Sequence, residues 1–314
     1  MAQFTWVFDA PTGTYKSHAM SSKLFEAAIE ETIFMDHVRP IDGFGRKKGE
    51  TVTLTRVKAL TEPTSATLDE NMRIPEDTLT LTNTTITVSE IGRAVPYTSL
   101  SEELSEFDIG NVIQKELRRQ MARVLDTKGS VPFKAAQVKY VPTGLASNNI
   151  TTNGTAGAAA TANLNTWHLE EIHDYLYDTL FCPMIGEEYV GIFRNLALRG
   201  VMRDPSWEEW HKYTDPQAKY NGEVGRWESI RLIRTNHNNA LAKKGTGSVL
   251  GEGVIFGEDA VALAEVLTPE LRARPDTADF GRSKAVAWYG ILEMGLIWDT
   301  GNAGEARVVH VSST

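Results

Sequence analysis

Thr51-Val52-Thr53-Leu54-Thr55-Arg56-Val57-Lys58 and its counterpart Thr78-Leu79-Thr80-Leu81-Thr82-Asn83-Thr84-Thr85-Ile86-Thr87-Val88-Ser89 decide the fold. Apolar and β-branched polar residues alternate in both, the period of a strand with one covered face. In the second segment the phase slips between Leu81 and Ile86, which predicts a bend or bulge near Asn83. The polar connection 59–77 holds Pro63 and Pro75, which keep it from being a regular strand. So long a connection is uncommon inside a compact domain and is usually functional or mobile. A lone two-stranded ribbon with this little apolar surface is marginal in water. Something must cover it, and the pattern leaves open whether that is the chain's own core or another subunit.

Working outward, Ser99-Leu100-Ser101-Glu102 fits a capping box opening a short helical turn. Asp108 then caps a helix from 109 to about 127. Its stripe is Ile109, Val112, Ile113, Leu117, Met121, Val124 and Leu125, with Glu116, Arg118, Arg119 and Arg123 on the other face. Gly129 is expected to end this rod, and 131–141 to form a strand. The Ala/Asn/Thr/Gly-rich segment 143–165 reads as a flexible surface loop.

Beyond it, helix and strand alternate. Helix 166–180 carries Leu169, Ile172, Leu176 and Leu180 on one stripe. Strand 188–193, helix 196–203, a helix from Pro205 and strand 227–235 follow. The chain ends with strand 254–257, helix 258–267, an apolar strand 284–298 broken by Gly290 and Gly295, and a last strand 306–311. Ahead of the ribbon, 1–20 reads as an extended arm, and Ser21 or Ser22 caps a helix to about Asp36. Strands from both ends with helices between them define an α+β fold, discontinuous in sequence.

Composition excludes several function classes. The 314 residues are 41% hydrophobic and 23% charged, ordinary for a globular protein that can bury a sizeable core. No apolar run approaches the roughly 18 residues of a membrane span, and no secretory signal opens the chain. A net charge of −9 argues against a dedicated nucleic-acid reader. Cys182 stands alone, so an internal disulfide and a multi-cysteine metal site are excluded.

Chemistry-bearing motifs are weak. His168, Glu170, Glu171, His173 and Asp174 form the most metal-like cluster, but histidines five apart diverge by about 140° on a helix. Gly245-Thr246-Gly247-Ser248-Val249-Leu250-Gly251 is only loosely phosphate-loop-like, because no strand precedes it. Trp207-Glu208-Glu209-Trp210-His211 reads as a packing corner. No nucleophile elbow, P-loop or zinc-protease helix is present. No catalytic residue, cofactor or metal site is predicted. A hydrolase centred on His168/His173 or Asp215 is the weakest of the functional readings.

The order of parts resembles the major capsid proteins of tailed bacteriophages, the Hong Kong 97 fold. The residues that carry the resemblance begin with Gly49-Glu50-Thr51-Val52-Thr53, Leu68-Asp69-Glu70-Asn71 and Glu90-Ile91-Gly92-Arg93-Ala94-Val95-Pro96-Tyr97. Arg123-Val124-Leu125-Asp126, Arg203-Asp204-Pro205-Ser206-Trp207 and Tyr220-Asn221-Gly222-Glu223-Val224-Gly225 continue it. Ile230-Arg231-Leu232-Ile233-Arg234-Thr235 and Val254-Ile255-Phe256-Gly257-Glu258-Asp259-Ala260 complete it. The similarity runs over about 20–312 and rests on the shared order of these motifs.

The resemblance implies an N-arm (1–45), an extended E-loop (46–99), and a spine helix with the first part of a peripheral domain (100–142). An axial domain (143–267) follows, and then strands that return to the peripheral sheet (268–314). It further implies that the E-loop lies over a neighbouring copy. The intersubunit candidates are Thr51, Val52, Leu54, Arg56, Leu79, Leu81, Ile86 and Val88 of the ribbon, Leu68 and Glu70 of its tip, and Arg118 and Arg119 of the spine. The implied function is a homo-oligomeric icosahedral shell of pentamers and hexamers around double-stranded DNA contacted without sequence preference. No membrane is involved. A portal protein and a separate scaffolding protein are implied partners, and a decoration protein is a further option the resemblance leaves open. Because no long charged helix precedes the arm, scaffolding is expected on a separate chain, the alternative being a processed form of this one. An encapsulin-like compartment storing cargo enzyme is the alternative.

Overall fold

A computed structural model of the chain describes residues 30–68, 70–71, 73–105, 107–211, 223–243, 250–274 and 281–312. The arm 1–20, most of the expected helix from Ser21, Asp215 and most of the 245–251 loop lie outside these residues. In chain order, a 3-10 turn (Phe34–His37) precedes β1 (Arg39–Pro40), the ribbon β2 (Thr51–Val57) and β3 (Leu81–Thr87), β4 (Ser89–Thr98), α1 (Ser99–Leu104) and α2 (Ile109–Lys134). Next come β5 (Val138–Gly144), β6 (Ser147–Thr151), α3 (Thr166–Asp174) with a π turn (Tyr175–Thr179), β7 (Tyr189–Arg194), α4 (Asn195–Met202) and α5 (Pro205–His211). The chain finishes with β8 (Glu223–Trp227), β9 (Ile230–Thr235), β10 (Gly253–Phe256), β11 (Val261–Ala273), β12 (Ser283–Leu296) and β13 (Val308–Val311).

Three sheets result. A four-stranded sheet runs β1-β11-β12-β4, a seven-stranded sheet runs β6-β5-β13-β10-β7-β9-β8, and β2 pairs only with β3. The strands of 284–311 therefore divide: β12 lies in the four-stranded sheet, and β13 runs parallel to β5 in the seven-stranded one. β4, placed within the E-loop segment on sequence grounds, is an edge strand of the four-stranded sheet.

Helix α2 crosses the four-stranded sheet. Its 26 residues make a rod of about 39 Å. Leu117 is buried against Val286 and Trp288, flanked by Ile113, Met121 and Val124. The Trp288 indole N–H donates to Gln120 Oε1 at 3.2 Å. Asp108 caps the helix as expected, accepting from the Asn111 N–H at 3.1 Å. The rod does not stop at Gly129. That glycine faces the Phe34 side chain, and Phe133 beyond it packs between Phe34 and Phe256 with tilted rings, centroids at 5.6 and 4.7 Å. Fully burying two phenylalanines contributes roughly 1.5–3 kcal/mol each, comparable to the roughly 4 kcal/mol that a glycine and a proline cost a helix interior.

Other expectations are corrected in the same way. Residues 258–267 are helix-forming in composition, yet they turn at Asp259 (φ 54°) and enter β11, which pairs along its length with β12. Long-range pairing overrides local propensity there. Strand 227–235 is a hairpin, β8–β9, turning through Glu228 and Ser229, both at positive φ. Segment 143–165 is not a loose loop. It forms the β5–β6 hairpin and is then tied back, with the Thr161 N–H on Pro142 O, Asn165 Nδ2 on Leu145 O, and Leu164 fully buried. The cap of α1 is Thr98, one residue earlier than the capping box placed it, while Glu102 pairs with Lys284 at 2.7 Å. Glycines 290 and 295 do not break β12; the irregularities lie opposite, in β11.

No bulge occurs at Asn83. The ribbon register runs unbroken from Thr51↔Thr87 to Val57↔Leu81. What looked like a slipped phase is a change of face. Val52, Leu54, Arg56, Thr82, Thr84 and Ile86 point one way, and Leu81 points the other.

A buried knot joins the layers. Asp126 of α2 accepts from the Ile33 and Phe34 backbone N–H groups, both at 2.7 Å, and from His237 Nδ1 at 2.6 Å. Both side chains are fully buried, and His237 Nε2 lies 3.3 Å from Thr127 Oγ1. One carboxylate thus fastens the N-terminal segment and the loop after β9 to the spine. Asp126→Ala strands two backbone donors and an imidazole in the interior. It is expected to lower unfolding free energy by about 3–5 kcal/mol in a denaturant titration. Asp126→Asn, which can still accept from both backbone donors, should lose less.

Candidate assembly surface

The two faces of the ribbon have different fates. Ile86 is buried, and Val52, Leu54 and Val88 pack with it on Ala262 and Ala264 of β11. A Cβ at Gly295 would come within 2.8 Å of Ile86 Cγ1, so the bare glycine lets the ribbon lie flat on β12. Arg56, 7% exposed, pairs with Asp299 at 2.6 Å and sits 5.8 Å from the Trp298 ring, which Arg307 covers at 4.9 Å. These groups anchor the base of the ribbon within the chain.

The other face carries the pairs Thr51/Thr87, Thr53/Thr85, Thr55/Asn83 and Val57/Leu81, all exposed. Thr51 and Thr87 hydroxyls lie 3.1 Å apart. Toward the distal end, Val57, Leu60, Leu68, Ile74, Leu79 and Leu81 are each more than half exposed. A run of large apolar side chains this dense on one projecting element marks an interaction surface.

A second unfilled surface lies on the spine. Between α2 and β4 there is a groove of about 340 Å³ with Val95, Val112, Ile113 and Leu117 on its walls and Arg119 and Arg123 at its rim. Arg119 pairs with Glu116 at 2.7 Å, Arg123 with Glu30 at 2.6 Å, and Arg118 is exposed. The sequence-predicted residues therefore separate into an anchored set (Val52, Leu54, Arg56, Ile86, Val88) and an exposed set (Thr51, Leu68, Glu70, Leu79, Leu81, Arg118). Sequence reasoning missed the groove, because Val95 reaches it from a sheet edge.

The polar clusters are structural. His168 is buried, bridging the Tyr140 hydroxyl at 2.8 Å and Gly144 O at 2.9 Å; burial lowers its pKa, and the Gly144 carbonyl acts the other way. His173 lies flat on Tyr177 beside Asp174. Among the described residues no group of acidic, His or Cys side chains is arranged to hold a metal, and no helix is long and apolar enough to cross a membrane. Burial pushes the Cys182 thiol up to about 11, leaving it a poor nucleophile. The Asp126–His237–Thr127 relay has the outline of a nucleophilic triad, but the Thr127 hydroxyl donates to Arg123 O, and both Asp126 and His237 are sealed from solvent.

A layered α+β body with a long crossing helix and a projecting ribbon is the fold of phage head-shell proteins. Solved structures with this fold include the head of Helicobacter pylori bacteriophage KHP40 (TM-score 0.71, 12% identity, covering 99% of this chain and 98% of that one). The capsid of cyanophage Pam1 is similar (0.68, 15%, 100% and 99%), as is a chain from Mycobacterium phage Che8 (0.65, 13%, 96% and 98%). Sequence comparison with curated proteins finds no significant match. The phage capsid family model matches residues 17–221, and the chain belongs to that family. It is a major capsid protein of a tailed-phage head, a structural subunit of the virion that assembles from repeated copies. The compartment alternative is not favoured.

One buried titratable group makes a pH prediction. His310 Nδ1 lies 3.0 Å from Lys139 Nζ, which also donates to Lys134 O. Burial, then the Lys139 and Lys134 charges, push the imidazole down to about 3. A histidine neutral in the fold and ordinary when unfolded contributes stability that is complete above about pH 6.5 and lost as pH falls toward 3. By about pH 5 the loss is about 2 kcal/mol. Unfolding titrations from about pH 8 to 5 should show His310→Gln flattening the decline by that amount; an unchanged slope would contradict this.

Proposed function

We propose that this chain closes capsomers by laying the exposed face and tip of its ribbon into the spine groove of the adjacent copy. The observation that carries this reading is the pairing of two incomplete surfaces on one molecule. The tip 59–77 holds five acidic residues against one arginine, while the spine beside the groove carries the exposed Arg118, with Arg119 and Arg123, each paired to an acid, at the rim. From Thr51 to Leu68 the chain can reach at most about 60 Å, longer than the spine it must cross. Because ribbon and groove are different surfaces, their contact is heterologous, which yields a ring when the rotation between copies closes.

In this reading 46–88 acts as the E-loop, α2 with the four-stranded sheet as the peripheral domain, and the seven-stranded sheet as the axial domain. Pentamers and hexamers form from the same subunit by small changes of angle between the outer part of the ribbon, beyond Val57 and Leu81, and its anchored base. The shell assembles in the host cytoplasm with a portal, a separate scaffolding protein and, on some heads, a decoration protein. It encloses double-stranded DNA, touched weakly and without sequence preference, and performs no catalysis. The acidic subunit suits a container that must not grip its polyanionic contents.

The test is assembly of Leu79→Ser/Leu81→Ser. Both positions are exposed, so subunit unfolding should shift by no more than about 0.5 kcal/mol. Wild-type protein should give rings or shells by sedimentation and negative-stain microscopy, and the double variant should remain in small species. A variant that assembles like wild type, or a wild-type protein that stays monomeric with a scaffold present, would overturn the reading.

A further inference from the structure

We propose that the recess at the start of α4 is a binding site for a phosphate group. It is lined by Arg194, Asn195, Leu196, Arg199, Thr235, Asn236 and Lys243 and encloses about 510 Å³, room for a pyrophosphate or nucleotide as well as a single phosphate. It lies on the seven-stranded sheet, away from the ribbon, and the inference stands independently of how capsomers close.

Three features converge there. Arg194 is 7% exposed, and its Nη1 is buried with no hydrogen-bond partner among the described residues; Nη2 reaches only Asn238 Oδ1, at 3.4 Å. A buried guanidinium nitrogen without an acceptor carries a desolvation penalty that an oxyanion in the recess would remove. Arg194 is also the N-cap of α4, whose eight residues begin with no side-chain cap and no acidic residue in the first turn. Its leading N–H groups and positive dipole end therefore lack the usual internal compensation. Arg199 and Lys243 add two exposed cations on the same walls. The acid facing this group is Glu30, which already pairs with Arg123 at 2.6 Å. Glu252 turns its carboxylate to the Ala242 N–H instead.

The geometry fits an oxyanion with several acceptor atoms. A fork-shaped donor from Arg194, backbone donors at the helix start and two exposed cations match a phosphate, which accepts from several directions at once. A free phosphate and a phosphodiester of the enclosed nucleic acid share this chemistry. The exposed cations would favour the doubly charged free group, and the experiment separates the two.

Inorganic pyrophosphate titrated calorimetrically into the purified protein at fixed ionic strength should bind saturably. Arg199→Gln/Lys243→Gln, which alters only exposed side chains, should leave unliganded unfolding unchanged and weaken binding by about tenfold or more. A short duplex DNA serves as the second arm. If pyrophosphate displaces it and the double variant weakens it equally, the natural ligand is the diester; if duplex binding ignores both, it is a free phosphate. Absence of saturable pyrophosphate binding, or equal affinity in the double variant, would overturn the proposal.

Discussion

The base of the ribbon is held by the chain itself and its outer half is not, and the rest of the architecture follows from that asymmetry. Ile86 against Gly295, with Arg56 clamped to Asp299 and Trp298, fixes where the two strands leave the body. At Val57 and Leu81, and in the irregular chain beyond them, apolar side chains stand in solvent. A two-stranded element is marginal alone; its inner face is completed by β11 and β12, and its exposed apolar end is the surface proposed to meet a neighbouring copy.

An arm of this kind transmits force only if its mounting is rigid. The Asp126–His237 knot and the Phe34–Phe133–Phe256 stack supply that rigidity by fusing the spine, the N-terminal segment and the seven-stranded sheet. Their burial leaves the triad-like arrangement without an exposed nucleophile: its polar atoms bond to one another and to the backbone. Among the described residues Arg194 Nη1, like Arg123 Nε and Arg307 Nε, is a buried donor without a hydrogen-bond partner, and Arg194 alone of these lines the recess at the start of α4.

Much of this was legible in the residues. The Thr-striped alternation gave both ribbon strands within three residues, and Asp108 gave the start of the spine. The stripe Leu169, Ile172, Leu176 and Leu180 is fully or almost fully buried, because periodicity reports directly on which face meets the core. What failed did so where distant contacts outweighed local preference. The spine runs through Gly129 because Phe34 packs on that bare position, and 261–273 is a strand because β12 pairs with it. The alternation predicts a bend near Asn83 because it cannot distinguish an apolar residue on the covered face, Ile86, from one on the exposed face, Leu81. Asp126 stood within a quoted motif, Arg123-Val124-Leu125-Asp126, but its partner His237 is over a hundred positions away. The groove beside Val95 and the recess at Arg194 arise from tertiary adjacency and leave no spacing to read.

The central claim is that the exposed ribbon of one copy occupies the spine groove of the next. A photo-reactive amino acid in place of Leu79, irradiated in assembled particles made from mixed isotope-labelled and unlabelled subunits, addresses it directly. Mixed-isotope cross-links from position 79 into the α2 segment between Val112 and Arg123 are the expected result. Cross-links confined to a single copy, or falling on a different part of the neighbour, would contradict it.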